Sequence, residues 1–535
     1  MTNRDIAKKF QLLGNIMDLH DENTFKIRSY LNAYNVLRKL VDPISEMDLN
    51  ELKSLQGVGA AIADKIEQLL TTGHIKTLDK YLEITPEGVV EMLGIRGLGP
   101  KKIKTIWKDL EITSPGELLL ACNENRLVAA KGFGLKTQED IKQKLEYHAD
   151  SQGKFLYAHV IEEARKLLDN MQTVYPDAGA VLVGSLSVQE PIVEGIEVLV
   201  KDVSGIDKAA VGIAIDEESG KESFGAYPVS FYSGGINIGL ESIRLTSSST
   251  FFSALKVDES QIFSSEEEVF QKSSYPWHPP FLRHAIPLTT IPGIIAVEDI
   301  KGIIHNHSTY SDGLHTLEEM AKKCLESGYE YFVISDHSKS AGYAQGLSIE
   351  RVEMQWREIE TLNQKLRPFK IFKSIESDIL VDGSLDYPDD ILSGFDLVIA
   401  SVHSSLNMDI DRATARLIKA IEHPATRILG HPTGRLLLGR KGYPLHWDKI
   451  MDACAANGVV IELNANPQRL DMDYSLIGSA LDKGILISIN PDAHSTSQIA
   501  LVKYGVLAAQ KAGLSPEQCL SAFTLEQFER WLTSK

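Results

Sequence analysis

Through the first 150 positions apolar residues recur at helical spacing, in segments such as IADKIEQLL and IKTIWKDL, and pairs of glycines interrupt the pattern between segments. This predicts an all-helical region. Between 155 and 245 the period changes: one helix (LYAHVIEEARKLLDN) is followed by the β-rich runs VLVGS, IEVLVKDV and YPVSFYS, as in a small α/β sheet domain. A Ser-rich stretch follows, with SSST around Ser249 and SSEEE near Ser265, and with the proline-rich YPWHPPFLRHAIPLTTIPG it reads as a linker. From Gly302 seven apolar runs (GIIH, YFVIS, KIFKSI, LVIAS, RILG, VVIEL and ILISIN) alternate with helical segments, the signature of βα units. A closed α/β barrel, one strand short of the common eight, is the expected architecture.

In such barrels chemistry gathers where strands end, so the residues just after each run carry the information. Run one ends in His305 and His307, two positions apart and so on the same side, followed by a turn bearing Asp312. Run two ends in Asp336 and His337, run three delivers Glu376, run four His403, run five His431, and run seven Asp492 and His494. A lone histidine at a strand end is usually just hydrogen-bonded. Six histidines and three carboxylates at equivalent places point instead to a shared metal site, and imidazole with carboxylate suits Mn, Zn or Fe. Ions packed together can activate water and clamp the attacking and leaving oxygens of a phosphate ester. Arg435 and Arg469 lie in loops after runs five and six, where a guanidinium can hold a phosphate by paired hydrogen bonds; Lys339 and Arg440 are weaker candidates, and surface ion pairing is the plainer reading of each.

Composition narrows the class. The 535 residues call for several domains, and at 43% hydrophobic and 24% charged, without a long apolar stretch, the chain reads as soluble with no membrane role. The charged N-terminus lacks a signal-peptide pattern and the four cysteines (Cys122, Cys324, Cys454, Cys519) form no CxxC pair, so a cytoplasmic protein with reduced thiols is expected. Net charge is −18, yet residues 1–150 hold 21 Lys+Arg against 22 Asp+Glu, so the acidic excess lies where metal ligands add to it.

The segments HNHSTYSDG, ISDHSKSAGYAQGLS, ASVHS, ILGHPTGRLLLGR, ELNANPQRLD and PDAHS resemble, in order over about 230 residues, the PHP phosphoesterases, specifically the PHP domain fused to bacterial family X DNA polymerases. The resemblance implies a distorted (β/α)7 barrel with up to three divalent ions. His305, His307, Glu376 and Asp492 would hold one ion; Glu376, His403 and His431 a second; and Asp312, His337 and His494 a third, with Glu376 bridging the first pair.

Three segments, Gly57-Val58-Gly59, Gly97-Leu98-Gly99 and Gly132-Phe133-Gly134, place Gly-apolar-Gly before a helix and resemble helix-hairpin-helix motifs. A single one can be a tight interhelical turn. Three, with Lys101, Lys102, Lys104 and Lys136 close behind, point to DNA, because backbone N–H groups at a helix start hold phosphate without a strongly basic surface. The segment from DENTFKIRSY to TTG also resembles the lyase domain of that polymerase family, whose Schiff-base lysine would fall on Lys65. Its usual companion is replaced by Ala61, and a lysine on an exposed helix face is the plainer reading.

The Gly-Ser motif of the family's polymerase palm would fall on Gly184-Ser185. Its paired aspartates, however, would fall on Gly195 and Glu197 and its third on Ser230, so a magnesium pair, and with it template-directed synthesis, is not expected. The resulting organisation is a lyase-like helical domain at 1–85, a second helix-hairpin-helix domain at 86–150, a small nucleotidyltransferase-like α/β palm with thumb at 151–285, a linker at 286–300 and the PHP domain at 301–535. The expected activity is metal-dependent phosphoesterase action on gapped, nicked or abasic DNA, as a 3′-5′ exonuclease, 3′-end processing enzyme or abasic-site endonuclease in repair. A histidinol-phosphatase-like enzyme and a non-catalytic DNA scaffold with structural metals are the alternatives.

Overall fold

The structure is a computed structural model, and it describes residues 1–534 except 39, 41, 42, 56, 96, 129, 131, 151, 152 and 218. The chain forms two compact units, Met1–His148 and Ala149–Lys535.

The first unit is helical, as its periodicity predicts. It opens with a capping box, in which Thr2 accepts from the Asp5 N–H while the Asp5 carboxylate accepts from Thr2, and this satisfies donors that a bare helix start leaves orphaned. Two apolar cores form. One is built from residues between Ile6 and Leu78, the other from Val89 to Leu145 with Leu19 added.

The second unit begins with the palm. The helix Tyr157–Val174 accompanies a five-stranded sheet whose spatial order is Val181–Leu182, Ile196–Val200, Tyr227–Ser233, Glu222–Phe224 and Ala214–Ile215. The last two strands, three and two residues long, are too short to leave a sequence pattern. Strands 196–200 and 227–233 pair in parallel, which places Glu197 directly opposite Ser230.

The Ser-rich stretch is not a linker. Ser248 and Ser265 are N-caps, accepting from the Phe251 and Glu268 N–H groups at the starts of helices Ser249–Leu255 and Glu266–Lys272. These helices and Ile238–Leu245 close on a core of their own around Phe251, Phe263 and Phe270. At its edge the fully buried Arg283 makes paired bonds to Glu266, at 2.9 and 2.5 Å, and donates to Thr246 and the His278 carbonyl. Within 286–300, which is mostly exposed, the Ile295 N–H donates to the Leu514 carbonyl and the Ile295 side chain is buried.

Burial alone would raise the Glu266 carboxyl, but the Arg283 bonds outweigh it and hold it below its ordinary 4.5. Its stabilising share is therefore full above that value and lost as pH falls. Arg283→Met, which strands Glu266, is expected to destabilise this subdomain by about 3–5 kcal/mol, read as faster amide hydrogen exchange across 238–288.

From Gly302 seven parallel strands follow each other in chain order: Gly302–Ile303, Tyr331–Ile334, Lys370–Asp378, Leu397–Ser401, Thr426–Leu429, Val460–Asn464 and Ile487–Asn490. A parallel bridge between Asn306 and Ala493, with the His307 N–H on the Ala493 carbonyl at 2.9 Å, joins the last strand to the first. Strands buried on both faces explain the unbroken apolar runs. One layer, with Tyr331, Val333, Phe372, Leu397, Ile399 and Ile428, packs with Phe528 of the C-terminal helix Leu525–Thr533, whose ring stacks 4.5 Å from Tyr331. The chemistry-bearing residues lie at the opposite ends of the strands.

Candidate metal centre

All nine ligand candidates converge, although they span nearly two hundred positions. His305 and His307 follow the first strand, Asp312 the turn after it, His337 the second, His403 the fourth, His431 the fifth, and Asp492 and His494 the seventh. Glu376 lies inside the third strand, which runs two residues past it. His305 and Asp492 hold positive φ (63° and 52°), a backbone state that L side chains rarely adopt and that is found where function over-determines geometry.

Glu376 is the hub. Its Oε1 lies 3.2 Å from His305 Nε2, 3.1 Å from His403 Nε2 and 2.9 Å from His431 Nε2, and its Oε2 lies 2.9 Å from His337 Nδ1 and 3.7 Å from His307 Nε2. His307 Nε2 is also 3.1 Å from Asp492 Oδ1. Across the mouth, Asp312 stands 3.5 Å from both His337 Nε2 and His494 Nε2. Four overlapping groups result: His307 with Asp312, His337 and His494; His305 with Glu376 and His431; His305 with His307 and Asp492; and His337 with Glu376 and His403.

The donor set fits divalent ions. Among the described residues, His307 Nδ1, His431 Nδ1 and Asp312 Oδ2 are buried without a hydrogen-bond partner, and a buried polar atom left so is costly unless something else satisfies it. Burial opposes the charge of Glu376, yet His403, His305 and His337 outweigh it and hold the carboxyl well below its usual range. Reciprocally, burial would lower His403, but Glu376 and Asp378 push it up to about 10.

Two carboxylates escaped the reading of strand ends. Glu462 on the sixth strand is fully buried, 2.6 Å from His305 Nδ1, and Asp378 bonds His403 Nδ1. An acid inside VVIEL was the available signal. Asp336 is a brace: it accepts from the N–H and hydroxyl of both Ser308 and Ser311 and from Gln355.

The arginines need correction. Arg435 donates to the carbonyls of Arg469 and Leu470 and to Asp473, and Arg440 to the Gly434 carbonyl, so both brace loops rather than standing free for phosphate. Arg469 is buried with Nε 3.8 Å from Asp492, at the edge of the centre. Lys339 lies over the Tyr387 ring.

In the helical unit the three hairpins are one geometry repeated. Gly57, Gly97 and Gly132 have φ of 90°, 90° and 92°, and Val58, Leu98 and Phe133 are buried. Those three donate N–H to the carbonyls of Leu55, Ile95 and Ala130. Helices Ala60–Thr72 and Pro100–Lys108 start at Gly59 and Gly99 without a side-chain cap, and Leu135–Asp150 starts just after Gly134. First-turn N–H groups there are available to an outside acceptor. Lys101 and Lys136 are exposed and Lys102 half-exposed, while Lys104 is paired with Asp21. Lys65 is half-buried, 5.9 Å from the Tyr30 ring; a neighbouring cleft of about 670 Å³ is lined by Lys26, Tyr30 and the first hairpin, with Ala61 but not Lys65 in its wall.

In the palm, Gly184 and Ser185 start the short helix Gly184–Ser187. The Glu197 carboxylate folds onto it, accepting from the Ser185 N–H at 3.2 Å and the Tyr232 hydroxyl at 3.1 Å. A Cβ on Gly195 would meet the Pro228 carbonyl oxygen at 2.5 Å.

Comparison with known proteins agrees with this organisation. Family models match residues 1–75 (helix-hairpin-helix domain), 89–146 (SAM-like helix-hairpin-helix tandem) and 304–466 (PHP domain). A probable phosphatase of Thermoanaerobacter sp. (strain X514) is 27% identical over 41% of this chain and 88% of its own length, and one of Syntrophotalea carbinolica is 25% identical over 42% and 92%. The DNA polymerase/3'-5' exonuclease PolX of Bacillus subtilis (strain 168) is 30% identical over 99% of both chains. Because that likeness runs through the hairpins, the palm and the barrel alike, the chain belongs to the bacterial family X DNA polymerases fused to a PHP domain.

Proposed function

We propose that this protein is a DNA-binding, metal-dependent phosphoesterase that processes 3′ ends or cuts at abasic sites in repair, and that its palm no longer carries polymerase chemistry. The convergence of five imidazoles on Glu376 carries the reading, because it builds room for up to three divalent ions (Mn, Zn or Fe) where a phosphate ester could enter. Bound there, such ions supply Lewis acidity and a water of lowered pKa. The chain's own residues would hold the ions as the resemblance implies: His305, His307, Glu376 and Asp492 one, His403 and His431 with Glu376 a second, and Asp312, His337 and His494 a third. Arg469 lies within reach of a phosphate beside Asp492, whereas Arg435 keeps the loop carrying Arg469 and Leu470 in shape.

The relatives named as probable phosphatases align over only 41% and 42% of this chain, and a small-molecule phosphatase needs no hairpins. The three hairpins therefore favour gapped, nicked or abasic DNA as substrate over a metabolite.

The test is product mapping by the full chain, loaded with Mn²⁺ or Zn²⁺, on defined duplexes carrying a nick, an abasic site or a 3′-phosphate, beside a small phosphate ester. Lys101→Ala, Lys102→Ala and Lys136→Ala combined are expected to weaken DNA binding regardless of sequence. The slope of log affinity against log salt should flatten by about 0.9 for each phosphate that a lysine no longer neutralises. The ratio of DNA to small-ester hydrolysis should fall with it. Preference for the small ester, untouched by these changes, would favour the metabolite phosphatase; no hydrolysis by metal-loaded protein would leave a scaffold.

A further inference from the structure

The Nδ1 atoms of the six histidines are not treated alike. His305 Nδ1 meets Glu462 at 2.6 Å, and His403 Nδ1 meets Asp378. Among the described residues His307 Nδ1, 3.8 Å from Asp312, and His431 Nδ1 have no hydrogen-bond partner, His337 turns Nδ1 to Glu376 itself, and His494 turns it to the Asp492 carbonyl at 3.0 Å. Two carboxylates outside the ligand set thus each address a single histidine.

Both are held rigidly. Glu462 accepts from Asn490 Nδ2 at 2.7 Å, Asn464 Nδ2 at 3.2 Å and the His431 N–H at 3.1 Å, so its position is over-determined from the fifth, sixth and seventh strands. Asp378 accepts from the Ser340 hydroxyl at 2.6 Å, and its own N–H donates to the Ser338 hydroxyl at 2.9 Å. A carboxylate fixed at Nδ1 keeps the proton there. The lone pair of the imidazole is then on Nε2, the atom facing Glu376 in both rings.

We infer that Glu462 and Asp378 are positioning residues, each dedicated to a different ion: Glu462 through His305 to the ion shared with His307 and Asp492, and Asp378 through His403 to the ion shared with His431. This rests on the three-ion reading above.

The measurement is metal binding by the full-length protein, stripped with chelator and titrated with Mn²⁺ or Zn²⁺ against a competing chelator, with stoichiometry by elemental analysis. Glu462→Gln is expected to weaken one ion by about 10–100-fold and Asp378→Asn a different one, and the double variant both. Thermal melting of the stripped proteins controls for folding, and should Glu462→Gln fail to fold, Glu462→Asp and Asp378→Asn carry the test. Wild-type protein that takes up no ions overturns the three-ion reading itself. Wild-type protein that binds three ions, alongside folded variants that bind them equally well, overturns the positioning roles alone.

Discussion

Replacing Glu376 with glutamine is expected to lower phosphoester hydrolysis by about a thousandfold, the consequence of losing roughly 4 kcal/mol of charge stabilisation at the reacting centre. The residue stands within 3.2 Å of four different imidazole nitrogens, and glutamine keeps its volume while removing the charge they converge on. Its neighbours are committed differently: Asp492 stands against His305 and His307, Asp312 against His337 and His494, and Glu462 is bound to His305 Nδ1 and two asparagines, so none of them gathers the four nitrogens that Glu376 does. The check is kcat on a defined 3′-end substrate with saturating Mn²⁺, together with the number of ions bound. Activity within tenfold of wild type would show that the chemistry does not pass through this hub.

Full-length protein given Mg²⁺, a gapped duplex and labelled nucleotides is expected to incorporate none above background, and Glu197→Gln should leave that background unchanged. Two magnesium ions on a triphosphate need several carboxylates, and of the three family positions only Glu197 still has one. That carboxylate is turned onto the Ser185 N–H and Tyr232 hydroxyl, and Ser230 lies opposite it on the neighbouring strand. A single substitution is not expected to supply the missing charge. Gly195→Asp must push aside the Pro228 carbonyl, so it is expected to destabilise the palm by about 1–3 kcal/mol without restoring synthesis. Genuine incorporation that disappears in Glu197→Gln would overturn this reading.

The palm has other work in the structure. Lys511, buried on the barrel's helix Val502–Lys511, donates to the Val188 carbonyl and to Glu190, and Gln189 bonds Gln510. The palm thus serves as packing surface for the barrel.

Some features were determined by the sequence alone because their cause is local. A glycine at φ near 90° just ahead of a helix is set by three consecutive residues, so all three hairpins were legible. Seven apolar runs are strands buried on both faces, and a ligand at a run's end needs no knowledge of its partners to be noticed. Other features depended on what each residue meets across the fold. Serines near 248 and 265 look like a linker until helices form behind them, and a guanidinium at 435 looks free until the loop at 469–473 folds against it. Glu462, an acid in an apolar strand, acquires its meaning only when barrel closure brings His305, 157 positions earlier, to within 2.6 Å. Spacing along a chain specifies which face a side chain takes, but the charge it will face is decided by packing between segments that no local pattern connects.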